Sequence, residues 1–131
     1  MPKVFTSKSQ KIGELGEDIA CKFLMKHGFS IIERNYTKKW GEIDIIAKDK
    51  KGLHFIEVKA VSRVPSKGMD NYKPEDNIHP WKVKRLSRAI QTYLLERRVP
   101  EGENWQFDIC AVYLDMVDKK AIVKMSDNII L

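Results

Sequence analysis

The sequence predicts an α/β fold in which a mixed sheet has helices packed against it. Three observations carry that expectation. Apolar residues recur at helical spacing in two places, Ile12, Leu15, Ile19, Phe23 and Leu24, and again Val83, Leu86, Ile90, Tyr93 and Leu94. Short runs rich in β-branched and aromatic residues fill the stretches between and after them. The resulting order is helix, three strands, helix, two strands, the interleaved pattern of helices layered on a sheet.

Each element has its own signals. The first helix is expected from Ser9 to His27, with Ser7 or Ser9 able to cap its start and Gly28 closing its end. Residues 29–36 (FSIIERNY) read as a short strand, and residues 40–60 (WGEIDIIAKDKKGLHFIEVKA) as a hairpin turning at DKKG. Residues 62–80 hold three prolines and a glycine without periodicity, so a long loop is expected there, of the kind that orders substrate as a lid or lacks fixed structure. The second helix is placed at about Pro80 to Arg98, followed by strands at Trp105–Asp115 and Ala121–Met125.

A chain of 131 residues is long enough to bury a core without disulfides, and residues 1–131 read as a single domain. Cys21 and Cys110 stand in apolar stretches with no paired spacing, as buried reduced thiols do. No signal-peptide pattern and no apolar run near the roughly 20 residues of a spanning helix is present, so a cytoplasmic protein with no membrane partner is expected. The net charge of +6 is unevenly spread: +4 over residues 1–40, +1 over 41–72, +4 over 73–98 and −3 over 99–131. Two basic blocks of this size fit a polyanion ligand, and they are also common in domains that bind none.

The hairpin places charge where a plain strand would have none. Alternation puts Glu42, Asp44 and Ile46 on one face and Ile43, Ile45 and Ala47 on the other, while Phe55, Glu57 and Lys59 share a face. With Lys48 opposite Leu53, Asp44 falls opposite Glu57, and Glu42 opposite Lys59. Facing carboxylates on adjacent strands lie only about 5 Å apart at Cβ and repel unless a cation joins them. Hard oxygen ligands suit Mg²⁺ or Mn²⁺. The bland alternative is an exposed hairpin face with a diagonal Asp44–Lys59 ion pair. Gly13 and Gly16 lie inside the first helix, where glycine costs up to about 1 kcal/mol relative to alanine. Close approach of helix to sheet would explain them, and would let Glu17 reach toward the hairpin acids.

The combination GELGEDIA, ERNYTKKWGEIDIIA, FIEVKA and FDICAV resembles the YraN-like bacterial proteins, within the PD-(D/E)xK or restriction-endonuclease-like superfamily. The likeness runs over roughly residues 9–115 and is strongest at Arg34, Asn35, Gly41, Glu42, Asp44, Glu57, Val58 and Lys59. It implies a three-layer αβββαβ core similar to Holliday-junction resolvases and restriction nucleases. It implies that Asp44 and Glu57 bind Mg²⁺, that Lys59 assists the attacking water, and that Glu17 completes the site. Val61 and Gln106 depart from the pattern, standing where arginine is expected, with Arg63 nearby.

The chemistry expected on that basis is phosphodiester hydrolysis. Asp44, Glu57 and the Val58 carbonyl would hold the metal, and Lys59 would orient water or stabilise developing charge. Lys38, Lys39, Arg63, Lys82, Lys84, Arg85 and Arg88 would contact phosphates, the basic helix face being equally readable as solvated surface. Trp40 and Trp81 would either stack on bases or pack in the core rim. His27, His54 and His79 share no ligand spacing, and Asp108 is expected as a structural partner of arginine or backbone. The expected function is an endonuclease acting on structured or branched DNA, with a symmetric homodimer suiting two-strand chemistry. The alternative is a binding module in repair or recombination that cuts nothing.

Overall fold

The computed structural model describes residues 8–62 and 79–131. Arg63 and most of the expected loop lie outside the described residues, as does Ser7. The elements run α1 (Lys8–Lys26), β1 (Ser30–Lys38), β2 (Gly41–Asp49), β3 (Gly52–Val61), α2 (Pro80–Glu96), β4 (Trp105–Asp115) and β5 (Lys120–Ser126). This is the expected order, with Ser9 inside α1 rather than before it. The sheet order is β1-β2-β3-β4-β5; β3 and β4 are parallel and the other neighbours antiparallel, so the sheet is mixed. The parallel step is made by the β3–α2–β4 crossover, as parallel pairing requires.

One helix covers each face. Against α1 pack Ile45, Ala47, Ile56, Cys110, Val112 and Leu114, with Ala20, Cys21 and Leu24 as the helix's buried ridge. Against α2 pack Phe55, Phe107, Ile43 and Ile46 with Leu86, Ala89, Ile90 and Tyr93. Both cysteines are buried and free. The ridge of α1 departs from the periodicity read in the sequence, because Leu15 is 41% exposed while Gly16 is buried. A Cβ added at Gly16 would stand 2.5 Å from Ala60 Cβ, so its absence lets the helix sink onto β3. Gly13 has nothing within 4 Å, and close approach does not account for it. At the end of α1, Gly28 takes φ +89°, the left-handed conformation that closes a helix.

The β2–β3 register is the expected one, with Lys48↔Leu53, Ala47↔His54 and Ile45↔Ile56, closed by a tighter turn in which Asp49 pairs with Gly52. The pairing stops at Ile45↔Ile56, although both strands continue. Beyond that point β2 pairs only with β1, where Glu42 meets Thr37, and β3 only with β4. Neither the expected Asp44–Glu57 nor the expected Glu42–Lys59 opposition is therefore formed as a strand pair. The expected alternation also breaks: Ile43 joins Tyr36 and Ile46 on the α2 face instead of Ile45 and Ala47 on the α1 face. Asn35, bracketed by the pairs Arg34↔Ile45 and Tyr36↔Ile43, has φ 53°, a local twist that turns the strands beside Asp44.

Candidate active site

The sheet forks where Asp44 and Glu57 stand. Asp44 Oδ2 accepts a hydrogen bond from the Val58 backbone N–H at 2.8 Å, taking the place of a ladder bond and holding the fork open. The N–H and C=O of one strand residue point the same way, so the Val58 carbonyl also faces the gap. Glu57 is only 7% exposed and lies on the α2 face, as Phe55 does.

The two carboxyls are hydrogen-bonded to each other and titrate as a pair. Burial, then the bond to Glu57 and its charge, push the Asp44 carboxyl up to about 9. Burial would raise Glu57 too, but the bond from Asp44 and the Lys82 ammonium hold it below the usual range. The pair thus keeps one proton at neutral pH. Lys82 Nζ lies 2.9 Å from Glu57 Oε2. Lys59 sits close by and is held low by burial and by the neighbouring Lys82, whose own value is raised by Glu57 despite burial. The buried Glu57 carboxyl, the half-buried Asp44 carboxyl and two half-buried ammonium groups therefore share one site.

Lys82, expected among the phosphate contacts, is instead brought into this cluster by the fold. The sequence holds a signal for it: lysine is unfavourable in the first turn of a helix, where the dipole is positive. No acidic residue shares that turn in α2. A lysine there calls for a carboxylate from elsewhere, and Glu57 supplies it.

Glu17 stands apart from the pair. It belongs to α1, on the opposite face of the sheet from Lys82, and lies 3.7 Å from the Arg34 guanidinium, which also binds Asp18 at 2.9 Å. Burial raises its pKa, Arg34 opposes that, and Asp18 and Glu42 add to it. It reaches Asp44 only through its charge. Among the described residues no three His, Cys, Asp or Glu side chains converge closely enough to hold a metal ion. The donors that the fork does bring together are Asp44, Glu57 and the Val58 carbonyl.

The remaining expected residues divide into two groups. Lys38 is paired with Glu96 at 2.7 Å, which ties the end of β1 to the end of α2. Lys39, Lys84, Arg85 and Arg88 instead surround a shallow pocket of about 320 Å³ beside Trp40. Among the described residues none of these four has an ion-paired carboxylate. Trp40 is packed: its indole N–H donates to Thr92 Oγ1 at 3.0 Å and Arg88 covers its ring at 4.8 Å. Trp81 is 55% exposed. Asp108 is fully buried and bonds His54 Nδ1 at 2.6 Å, Gln106 Nε2 at 2.7 Å and the Asn128 N–H at 2.8 Å. Its role is structural, with histidine rather than arginine as its partner, and Gln106 here serves Asp108. No helix among the described residues is long and apolar enough to cross a membrane.

Residues 16–112 match the model of the Uncharacterised protein family UPF0102. The chain belongs to that family. A UPF0102 protein of Campylobacter lari is 41% identical over 103 residues, covering 79% of this chain and 84% of that protein. Relatives from Campylobacter hominis (42% over 91 residues, 70% of this chain and 75% of the relative) and Helicobacter hepaticus (41% over 94 residues, 72% and 78%) are similar to the same extent. The matched span of this UPF0102 chain includes Glu17, Asp44, Glu57, Lys59 and Lys82, and so the whole fork.

Proposed function

We propose that this UPF0102 chain is a metal-dependent endonuclease of the PD-(D/E)xK type, hydrolysing phosphodiester bonds in structured or branched DNA. The observation that carries the reading is the fork itself: the buried Glu57 carboxyl bonded to the half-buried Asp44 carboxyl, with the Lys59 and Lys82 ammonium groups beside them. A sheet that serves only as scaffold has no use for such a cluster, since burying charge is costly unless function requires it. The donor chemistry fits Mg²⁺ or Mn²⁺, being two hard carboxyl groups and a backbone carbonyl. Such an ion would polarise a phosphoryl oxygen and make water a stronger nucleophile at neutral pH.

The chain's own residues then have defined tasks. The carboxyl pair must give up its proton, and Glu57 must exchange Lys82 for the incoming charge. Lys59, kept beside the pair, orients the water that attacks phosphorus and offsets the negative charge that builds on the phosphoryl oxygens. Lys82, once released, is within reach of a phosphate. Lys39, Lys84, Arg85 and Arg88 hold the strand by its backbone. The buried thiols suit a reducing cytoplasm, and cutting two strands would favour a symmetric homodimer.

The purified protein, incubated with branched and linear DNA plus Mn²⁺ or Mg²⁺, is expected to cleave. Asp44→Ala and Lys59→Ala are each expected to lower the rate by a factor on the order of 100 or more. Cleavage that persists in both variants comes from a contaminant and removes the enzymatic reading. The second reading, a DNA-binding module in repair or recombination that cuts nothing, draws on Lys82 already neutralising Glu57 and on the distance of Glu17 from the pair. It predicts DNA mobility shifts with no products under any divalent ion.

A further inference from the structure

We propose that the groove beside the carboxyl pair is a subsite for one unpaired nucleotide, so that the polymer is recognised where it is single-stranded or frayed; this rests on the DNA reading above. The groove has a volume of about 320 Å³ and runs between the start of β2 and the first turns of α2. That is the low end of pockets that enclose a small molecule, roughly 300–1,000 Å³. It suits one nucleotide and does not enclose a base-paired helix.

Its walls are built for such an occupant. A Cβ at Gly41 would stand 2.5 Å from the Arg85 carbonyl oxygen, so helix and strand meet there with no side chain between them. Arg85 is oriented by a bond from its Nε to the Trp40 carbonyl at 3.1 Å, and its guanidinium centre lies 5.7 Å from the centre of the Trp81 ring. Trp81, half exposed, forms the lip. Lys82 lines the groove and ends 2.9 Å from Glu57, so groove and carboxyl pair are continuous. Glu42 stands on the other wall.

Charge then sets the orientation. A phosphate goes to the Arg85 and Lys82 end and is repelled by Glu42, whose carboxylate accepts hydrogen bonds from base amino groups. The base lies on Trp81. In a duplex both faces of a base are covered by its neighbours, so Trp81 stacks only on one that has left the helix.

The test measures binding in EDTA, by fluorescence anisotropy of a labelled single strand and of its fully paired duplex, with circular dichroism to confirm that each variant is folded. Trp81→Ala is expected to weaken single-strand binding about tenfold, with duplex binding changed less than about twofold, and Trp81→Phe to restore most of the loss. Equal losses on both polymers, or single-strand affinity indifferent to Trp81, overturn the subsite while leaving DNA binding intact. Wild-type protein that binds neither polymer overturns the subsite together with the reading on which it rests.

Discussion

Lys82 shows how one side chain sets the state of a site. Its ammonium group occupies the Glu57 oxygen that a divalent ion would need, and so acts as the resident counterion of the fork. Removing it leaves the buried Glu57 carboxylate without its counterion, which favours any cation that enters. Lys82→Ala is therefore expected to bind Mn²⁺ about tenfold more tightly, the equivalent of ~1.4 kcal/mol. Titration calorimetry or the electron paramagnetic resonance signal of free Mn²⁺ would read this directly. Weaker binding in the variant would mean that Lys82 supports the metal site rather than competing with it.

At the scale of elements, two devices hold the fork in place. The first is the docking of α1 through Gly16 onto Ala60. Gly16→Ala adds helix propensity worth up to about 1 kcal/mol but forces an overlap that costs about 1–3 kcal/mol. A net loss of stability is expected in chemical denaturation, and Ala60→Gly in the same chain should relieve it. The second device is the hairpin turn. Asp49 Oδ1 accepts from the Lys51 N–H at 2.9 Å and from His54 Nε2 at 2.8 Å, while His54 Nδ1 meets the buried Asp108 on β4 at 2.6 Å. Burial opposes ionisation of Asp49, but these bonds outweigh it and hold its pKa below the ordinary 3.8. A carboxylate lowered on folding adds stability above its unfolded value, and this is lost as the pH falls through the folded one. Asp49→Asn is expected to lower stability by about 1 kcal/mol at pH 7, with the gap to wild type closing below pH 3.8. Urea unfolding across that range would show it; a gap that does not change with pH would mean the bond's charge contributes nothing.

Across the whole molecule, the positive charge spread along the chain resolves into two kinds. Lys38, Lys48, Lys82, Arg34 and Arg97 are neutralised by carboxylates within the fold. Lys39, Lys84, Arg85 and Arg88 gather on one surface without such partners among the described residues. The second group, clustered and without such partners, attracts a polyanion at range. Replacing Lys84 and Arg88 with alanine is expected to lower the slope of log affinity against log salt by about 0.9 for each duplex phosphate that the variant no longer neutralises. Affinity measured over a salt series would give that slope; an unchanged value would move the phosphate-binding surface elsewhere.

Most of the architecture was legible because it follows from short-range rules. Helical and alternating apolar periods placed all seven elements, and the turn at residues 49–52 carried the register as far as Ile45↔Ile56, next to Asp44 and Glu57. What the sequence could not disclose depends on which surfaces meet. The exposed Leu15 follows from how deeply Gly16 lets α1 sink, and the break in alternation at Ile43 from the twist beside Asn35. The separation of Glu17 from the carboxyl pair, and the arrival of Lys82 upon it, follow from the two helices taking opposite faces of the sheet. Residue patterns determined the strands and their acids by themselves. Only tertiary packing decided which cations stand beside those acids, because an ion pair across 25 residues is a matter of where a helix docks and leaves no periodic trace.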